Sequence, residues 1–296
     1  MSPIQEIRAM LAANPPTAGT FADRRARWET LYNKICPVPD GTRTAPLAAG
    51  LAGEWVWGAG VPDDAANVQL YIHGGGFTAG TAVAYRGLSA RLGTASGCRV
   101  MAVDYRFAPE EPFPAALDDC VAAYRWLVRK GGVSPKRVAL SGDSAGGNLV
   151  VAMLLALRDA GDPLPACGVS MSGIFDLALT GESVTARAER DPCILPSSLR
   201  NCSAAYIGGA DGRTPLASPL YGALHGLPPL LIQCGSEEML RDDSARLAAK
   251  AKAAGVDVTF EEWPDMIHVF HLFASRLPEG RQGIERVGAF VKRHVA

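Results

Sequence analysis

Ser144 stands at the centre of Gly142-Asp-Ser-Ala-Gly146, a G-x-S-x-G pattern set between two apolar runs. The pattern puts a serine on a strained bend from strand to helix, with glycines two positions either side where backbones approach closely. Residues 137–141 read as a buried strand. Residues 145–160 are apolar nearly all round, as a buried helix is, and Gly161 sits where that helix would stop. The helix N-terminus behind the serine offers backbone N–H groups and partial positive charge where an oxyanion would form. A Gly-rich connection with an idle serine is the plain alternative, and the flanking strand and helix argue against it.

A serine hydroxyl attacks only when a base takes its proton, and a histidine suits that task because its pKa lies near neutrality. A carboxylate must then hold the imidazole in one tautomer. The chain has five histidines. His294 lies near a helix end, His225 in a surface connection, and His271 reads as core. His73, fixed to a run of glycines, reads as structural. His268 lies on the loop after the last strand, where the order Ser, acid, His places the base. For the acid, the segment after Cys234 offers Glu237, Glu238, Asp242 and Asp243. The last two fall inside the following helix and read as solvated or capping, and Glu238 is favoured over Glu237. Upstream, the strand 68–72 runs into His73-Gly-Gly-Gly-Phe77. Consecutive glycines can aim several N–H donors at one point. A phosphate cradle is the alternative, but neither G-x-G-x-x-G nor a Walker lysine follows. An oxyanion role gains weight from the serine downstream.

These residues need elements to hold them. Ile4, Ile7, Met10 and Leu11 recur at helical spacing, with Asn14-Pro-Pro16 as the stop. A second helix over about 21–35 carries Trp28, Leu31, Tyr32 and Ile35 on one face and arginines on the other. Packing on a core is the preferred reading of this pair; a cover over a pocket is the sharper one. Residues 36–53 read as a connector and 54–57 as a first strand at the sheet edge. Strands follow at 99–104, 166–172, 230–234 and, at the other edge, 256–263. Helices follow at 118–130, about 240–254, and from Ile284 to Val295. Residues 173–218 have little sheet character and read as an insertion with short helices. Alternation of strands and helices from Val68 onward implies an α/β fold, with a mostly parallel sheet, helices on both faces and reactive loops at the strand C-termini.

At 296 residues, with 48% hydrophobic and 20% charged residues, the chain fills one large core or a core with a small cap. A net charge of −1 gives no footprint for nucleic acid or an anionic membrane. Seven scattered cysteines without C-x-x-C imply neither a disulfide framework nor a metal site, and Cys98, Cys167 and Cys234 read as core thiols. The longest apolar stretch, 149–157, is too short to span a bilayer, and the N-terminus has no signal-peptide run, so a reduced cytoplasmic setting is expected.

His73-Gly-Gly-Gly76, Asp104-Tyr-Arg-Phe-Ala-Pro-Glu110, Gly142-Asp-Ser-Ala-Gly-Gly147 and His268-Val-Phe together resemble the hormone-sensitive-lipase-like family of α/β-hydrolases, from about Glu54 to the end. The resemblance implies a serine carboxylic ester hydrolase with the α/β-hydrolase fold and a helical cap. Its nucleophile falls on Ser144, its base on His268, its acid on Glu238, and its oxyanion donors on the N–H groups of Gly75, Gly76 and Ala145. Glutamate at the acid position departs from the aspartate more usual beside this elbow. The implied division is cap helices in 1–46, core in 47–175, a cap insertion in 176–218 and core again in 219–296. The expected substrate is a short-chain ester, with no metal or organic cofactor needed. Activity is expected to fall below about pH 6 as His268 protonates. An amidase or deacetylase with the same triad and a non-catalytic receptor on the same fold are the rival readings. The edge strand 256–263 could also pair with its twin in a homodimer, which light scattering tests.

Overall fold

The computed structural model describes residues 1–13 and 20–296. The stop expected at Asn14-Pro-Pro16 lies outside the described residues. In chain order come α1 (Pro3–Ala13), α2 (Phe21–Ile35), β1 (Arg43–Pro46), β2 (Gly53–Trp57), β3 (Val68–Ile72), α3 (Arg86–Ser96), β4 (Arg99–Val103) and α4 (Ala115–Arg129). Then follow β5 (Val138–Asp143), α5 (Ala145–Asp159), β6 (Cys167–Met171), the single turn α6 (Ser183–Ala186), α7 (Pro196–Ile207), β7 (Leu230–Gly235), α8 (Arg241–Ala253), β8 (Val258–Trp263) and α9 (Pro278–His294).

The described strands form one eight-stranded sheet in the order β1-β2-β4-β3-β5-β6-β7-β8. From β4 to β8 every pairing is parallel; β1 and β2 join antiparallel. Alternate residues of one strand point to opposite faces. Val68, Leu70 and Ile72 of β3 accordingly join a core with α4, α5 and α8, while Tyr71 joins a second core with α3 and α9. Strands buried on both faces are near-continuously apolar, which is why β3, β5, β6 and β7 were legible as short apolar runs.

Two expectations need correction at the N-terminal edge. Residues 36–53 are not a plain connector, since β1 lies within them, and 54–57 therefore belong to a strand one place in from the edge. Arg43-Thr-Ala-Pro46 is mostly exposed and gains its strand geometry from pairing with β2, so no apolar alternation marks it. Helix α3, buried along most of its length against α9, also lies in a stretch whose sequence pattern gave no helix reading. Helix α4 starts three residues before the expected Asp118.

Helix α2 opens with a capping box: the Thr20 side chain accepts from the Asp23 amide, and Asp23 accepts from the Thr20 amide. It is anchored by Arg25, which donates to the carbonyls of Thr78 and Ala108 and grips Glu110 with both terminal nitrogens. Helix α5 is the most deeply buried, with twelve of its 15 residues inside. Leu154 is fully buried and packs over Gly168 of β6. Removing its side chain opens a cavity that α5 and β6, packed on both sides, can only partly close. Leu154→Ala should therefore lower unfolding stability by about 2–5 kcal/mol in urea titrations, with little change in the m-value.

Candidate active site

Strand β5 ends at Asp143 and α5 starts at Ala145, so the whole reversal falls on Ser144. Its backbone sits at φ 52°, ψ −117°, a strained region for a non-glycine residue. The two flanking glycines are required by contact. A Cβ on Gly146 would lie 1.9 Å from the Ile72 carbonyl oxygen, and one on Gly142 would lie 2.5 Å from the Gly146 carbonyl carbon. Only bare Cα atoms let α5 start this close to the end of β3.

Ser144 Oγ lies 3.0 Å from His268 Nε2, and His268 Nδ1 lies 2.7 Å from Glu238 Oε2. Glu238 is fully buried and His268 is 8% exposed. The other Glu238 oxygen accepts from the Gly235 amide and from Ser172 Oγ, at 3.1 Å for the latter. Ser172 Oγ in turn accepts from the Val269 amide at 3.0 Å, so one hydroxyl joins the acid's loop to the histidine's loop. Burial alone would lower the His268 pKa. The hydrogen bond and charge of Glu238, with the charges of Asp191 and Asp143, outweigh it and hold the ring above its ordinary value.

The other candidates fall elsewhere. Glu237 faces Arg187 and Arg190, each at 3.7 Å. Asp242 accepts from the Ser183 amide and pairs with Arg241. Asp243 is not solvated: it is buried and accepts from the amides of Phe175 and Asp176. His271 is buried against Gln233 at 2.8 Å, and burial pushes its pKa down to about 3. His73 is buried, stacked on Tyr105, with Nδ1 2.7 Å from the Gly74 carbonyl oxygen, and burial lowers its pKa.

The glycine loop is held from beneath by Asp143, whose Oδ1 accepts from the Gly74 amide at 3.0 Å and from the Tyr71 hydroxyl. Burial pushes the Asp143 pKa up to about 6 against those bonds. Gly75 and Gly76 take φ values of +115° and +63°, and a Cβ on Gly75 would lie 1.9 Å from the Ala79 carbonyl oxygen. Among the described residues, the amides of Gly75, Gly76 and Ala145 donate no backbone hydrogen bond. Gly75 and Gly76 border the same cavity as Ser144, while Ala145 lies buried just behind the serine at the start of α5.

That cavity is about 730 Å³ and holds Ser144 and His268 in its wall. Helix α2 contributes Phe21, Arg24, Trp28, Leu31 and Tyr32; the segment from Pro192 through α7 contributes Ile194, Leu195, Leu199 and Cys202. Arg24 departs from the sequence reading, which put the α2 arginines opposite Trp28. Arg24 and Trp28 are four residues apart and share a face, with the guanidinium 5.1 Å from the ring centroid.

Three polar residues around the site escaped the sequence reading. Asp143 was visible as a filler position of G-x-S-x-G. Asp191 begins Asp-Pro-Cys-Ile-Leu-Pro, is buried, and accepts from the Met239 amide beside Glu238 at 3.0 Å; burial pushes its pKa up to about 6. Ser172 had only its place at a strand C-terminus to mark it.

The alpha/beta hydrolase fold family matches residues 69–272. An acetyl-hydrolase of Streptomyces hygroscopicus is 53% identical over 223 residues, spanning 75% of this chain and 74% of its own. An esterase from the bacterial hormone-sensitive lipase family superposes with a TM-score of 0.94 at 44% identity, covering 99% of this chain and 98% of that one. The esterase EstE5, in a crystal soaked with p-nitrophenyl butyrate, superposes with a TM-score of 0.93 at 42% identity, covering 99% and 98%. Fold and sequence thus define an α/β hydrolase. The chain belongs to that family and, within it, to the hormone-sensitive-lipase-like carboxylesterases. No helix among the described residues is long and apolar enough to cross a membrane.

Asp143 fixes the Gly74 amide, and small misplacements near a reacting centre are costly. Asp143→Ala should lower kcat/KM for p-nitrophenyl butyrate by about 10²-fold while the far-ultraviolet circular dichroism spectrum stays that of the parent.

Proposed function

We propose that this carboxylesterase hydrolyses short-chain acyl esters, with Ser144 as nucleophile, His268 as general base and acid, and Glu238 as the carboxylate orienting the imidazole. The observation that carries this reading is the buried imidazole of His268, whose two nitrogens lie within hydrogen-bond distance of Ser144 Oγ and Glu238 Oε2 at the wall of a partly enclosed cavity. The amides of Gly75, Gly76 and Ala145 are the oxyanion donors in this reading, and α2 with the 176–218 segment forms the cap.

The steps follow from the geometry. With Nδ1–H given to Glu238, Nε2 is the free base facing the serine. It takes the Ser144 proton as Oγ bonds to the ester carbonyl carbon. Negative charge moves to the carbonyl oxygen, where backbone N–H donors each contribute about 3 kcal/mol in the transition state. His268 then gives its proton to the departing alkoxide, leaving an acyl-serine and an alcohol. Water, deprotonated by the same nitrogen, attacks the acyl carbon and releases the acid, and the proton returns to Oγ. Burial of Glu238 with both oxygens bonded keeps it from turning to solvent between steps.

Ser144→Ala should remove turnover of p-nitrophenyl acetate and butyrate without unfolding the protein; parental activity would end the reading. Glu238→Ala should cost about 10³–10⁴-fold in kcat, whereas Glu237→Ala and Asp242→Ala should stay within a few-fold. The opposite ranking moves the acid.

The pH expectation changes with the environment of His268. A base works unprotonated, and the ring's pKa lies above its ordinary value. The acid limb of kcat/KM should therefore fall through a pKa above about 6.5 rather than near 6. Glu238→Gln removes the charge that raises it, so the limb should move to lower pH in a kcat/KM titration. An acid limb already below pH 6 in the parent enzyme contradicts this.

A further inference from the structure

The cavity wall carries a cation for which the ester chemistry has no use. Arg24 borders the same cavity as Ser144 and His268. Its guanidinium reaches the glycine loop: a Cβ on Gly76 would lie 3.3 Å from Arg24 Nη2. The Trp28 ring lies against one side of it, and Nη1 donates to the Cys202 thiol. A thiol and a ring face hold a guanidinium in place but leave its charge unneutralised.

Among the described residues no carboxylate pairs with Arg24. Asp23, its neighbour in sequence, spends one oxygen on the Thr20 amide and hydroxyl. Elsewhere arginines find acids: Arg25 holds Glu110, Arg86 holds Glu54, Arg106 holds Asp119, and Arg246 holds Asp176. Two carboxylates border the cavity, Asp23 and Asp143, and neither is paired with Arg24: Asp23 Oδ2 is turned to Thr20, and Asp143 Oδ1 accepts from the Gly74 amide and the Tyr71 hydroxyl.

We propose that Arg24 forms a subsite for an anionic group, so that the preferred substrates are short esters bearing a carboxylate a few bonds from the scissile carbonyl. The inference rests on the ester-hydrolase reading above and narrows its substrate class. The planar guanidinium fork matches a carboxylate with two parallel N–H bonds. Partial enclosure weakens screening, so the pair is stronger there than on the open surface. Gly76 supplies one of the proposed oxyanion donors, so a carbonyl held at that amide places the adjoining part of the substrate beside Arg24. The uncharged wall of Trp28, Leu31, Ile194 and Leu199 then takes the methylene groups.

The test compares matched esters by pH-stat at low ionic strength. Monoethyl succinate against ethyl butyrate places the carboxylate on the acyl side; 3-acetoxypropanoate against propyl acetate places it on the alcohol side. In one arm the ratio of kcat/KM, anionic over neutral, should fall at least about tenfold in Arg24→Gln, recover in part in Arg24→Lys, and shrink with added sodium chloride. Equal ratios in parent and Arg24→Gln in both arms overturn the subsite. Equal losses on charged and neutral esters also overturn it, because they assign Arg24 to holding the loop. Calorimetric binding to the Ser144→Ala protein separates this from the esterase reading. There monomethyl succinate or 3-acetoxypropanoate should bind more tightly than its neutral partner, and Arg24→Gln should erase the difference. If Ser144→Ala binds charged and neutral esters alike, the subsite fails whatever the parent's turnover; if the parent hydrolyses no ester while this preference holds, only the esterase reading fails.

Discussion

The start of α5 lies almost in contact with the end of β3. A side chain on Gly146 would collide with the Ile72 carbonyl, and one on Gly142 would collide with Gly146 itself. Much of the site follows from that closeness. Strand β5 must hand the chain to α5 within a single residue, so Ser144 takes a strained backbone and its side chain stands clear of the turn. Ile72 is also the last residue before the glycine loop, and β3 pairs in parallel with β5. The two glycine motifs, about seventy positions apart in sequence, are therefore neighbours at one edge of the sheet. The strain is borne by the most buried helix in the molecule, whose packing leaves the turn no alternative.

Around this turn the protein buries carboxylates that would each be better solvated in water. Asp143 and Asp191 meet that cost with backbone amides, and their pKa values still rise to about 6. Glu238 is enclosed by the Gly235 amide, Ser172 and His268. An unpaired polar group in such surroundings is expensive, so each bond fixes a loop as well as a charge. Ser172 shows the economy of the arrangement. Its one hydroxyl donates to Glu238 and accepts from the Val269 amide, so the loops of the proposed acid and base are both held to the end of β6.

The elements over the cavity obey a different logic from the core. Helix α2 has a capping box at its start and an arginine latch to the loops beneath, but its inner face mixes Trp28 and Leu31 with Arg24. A face that only packed would be apolar throughout. A mixed face of this kind suits the proposed substrate, which joins a hydrocarbon chain to a charged group.

The period of the sequence determined the parallel core, the buried helix behind Ser144, and the candidacy of Ser144 and His268, because those signals are local: alternation, glycine spacing, and position after a strand. The type of each element could be read wherever burial was two-sided or amphipathic. Strand β1 could not be read, since exposed Arg43-Thr-Ala-Pro46 becomes a strand only through its partner. The sequence favoured Glu238 over Glu237, but the contact with the imidazole is a tertiary matter, because the two differ in the direction their side chains leave the backbone, and that direction is set by Gly235, Ser172 and the loop bearing His268. Tertiary structure also turned Arg24 inward and brought Asp143, Ser172 and Asp191 to the site. Those placements depend on contacts between segments distant in the chain, and no pattern along a single segment encodes them.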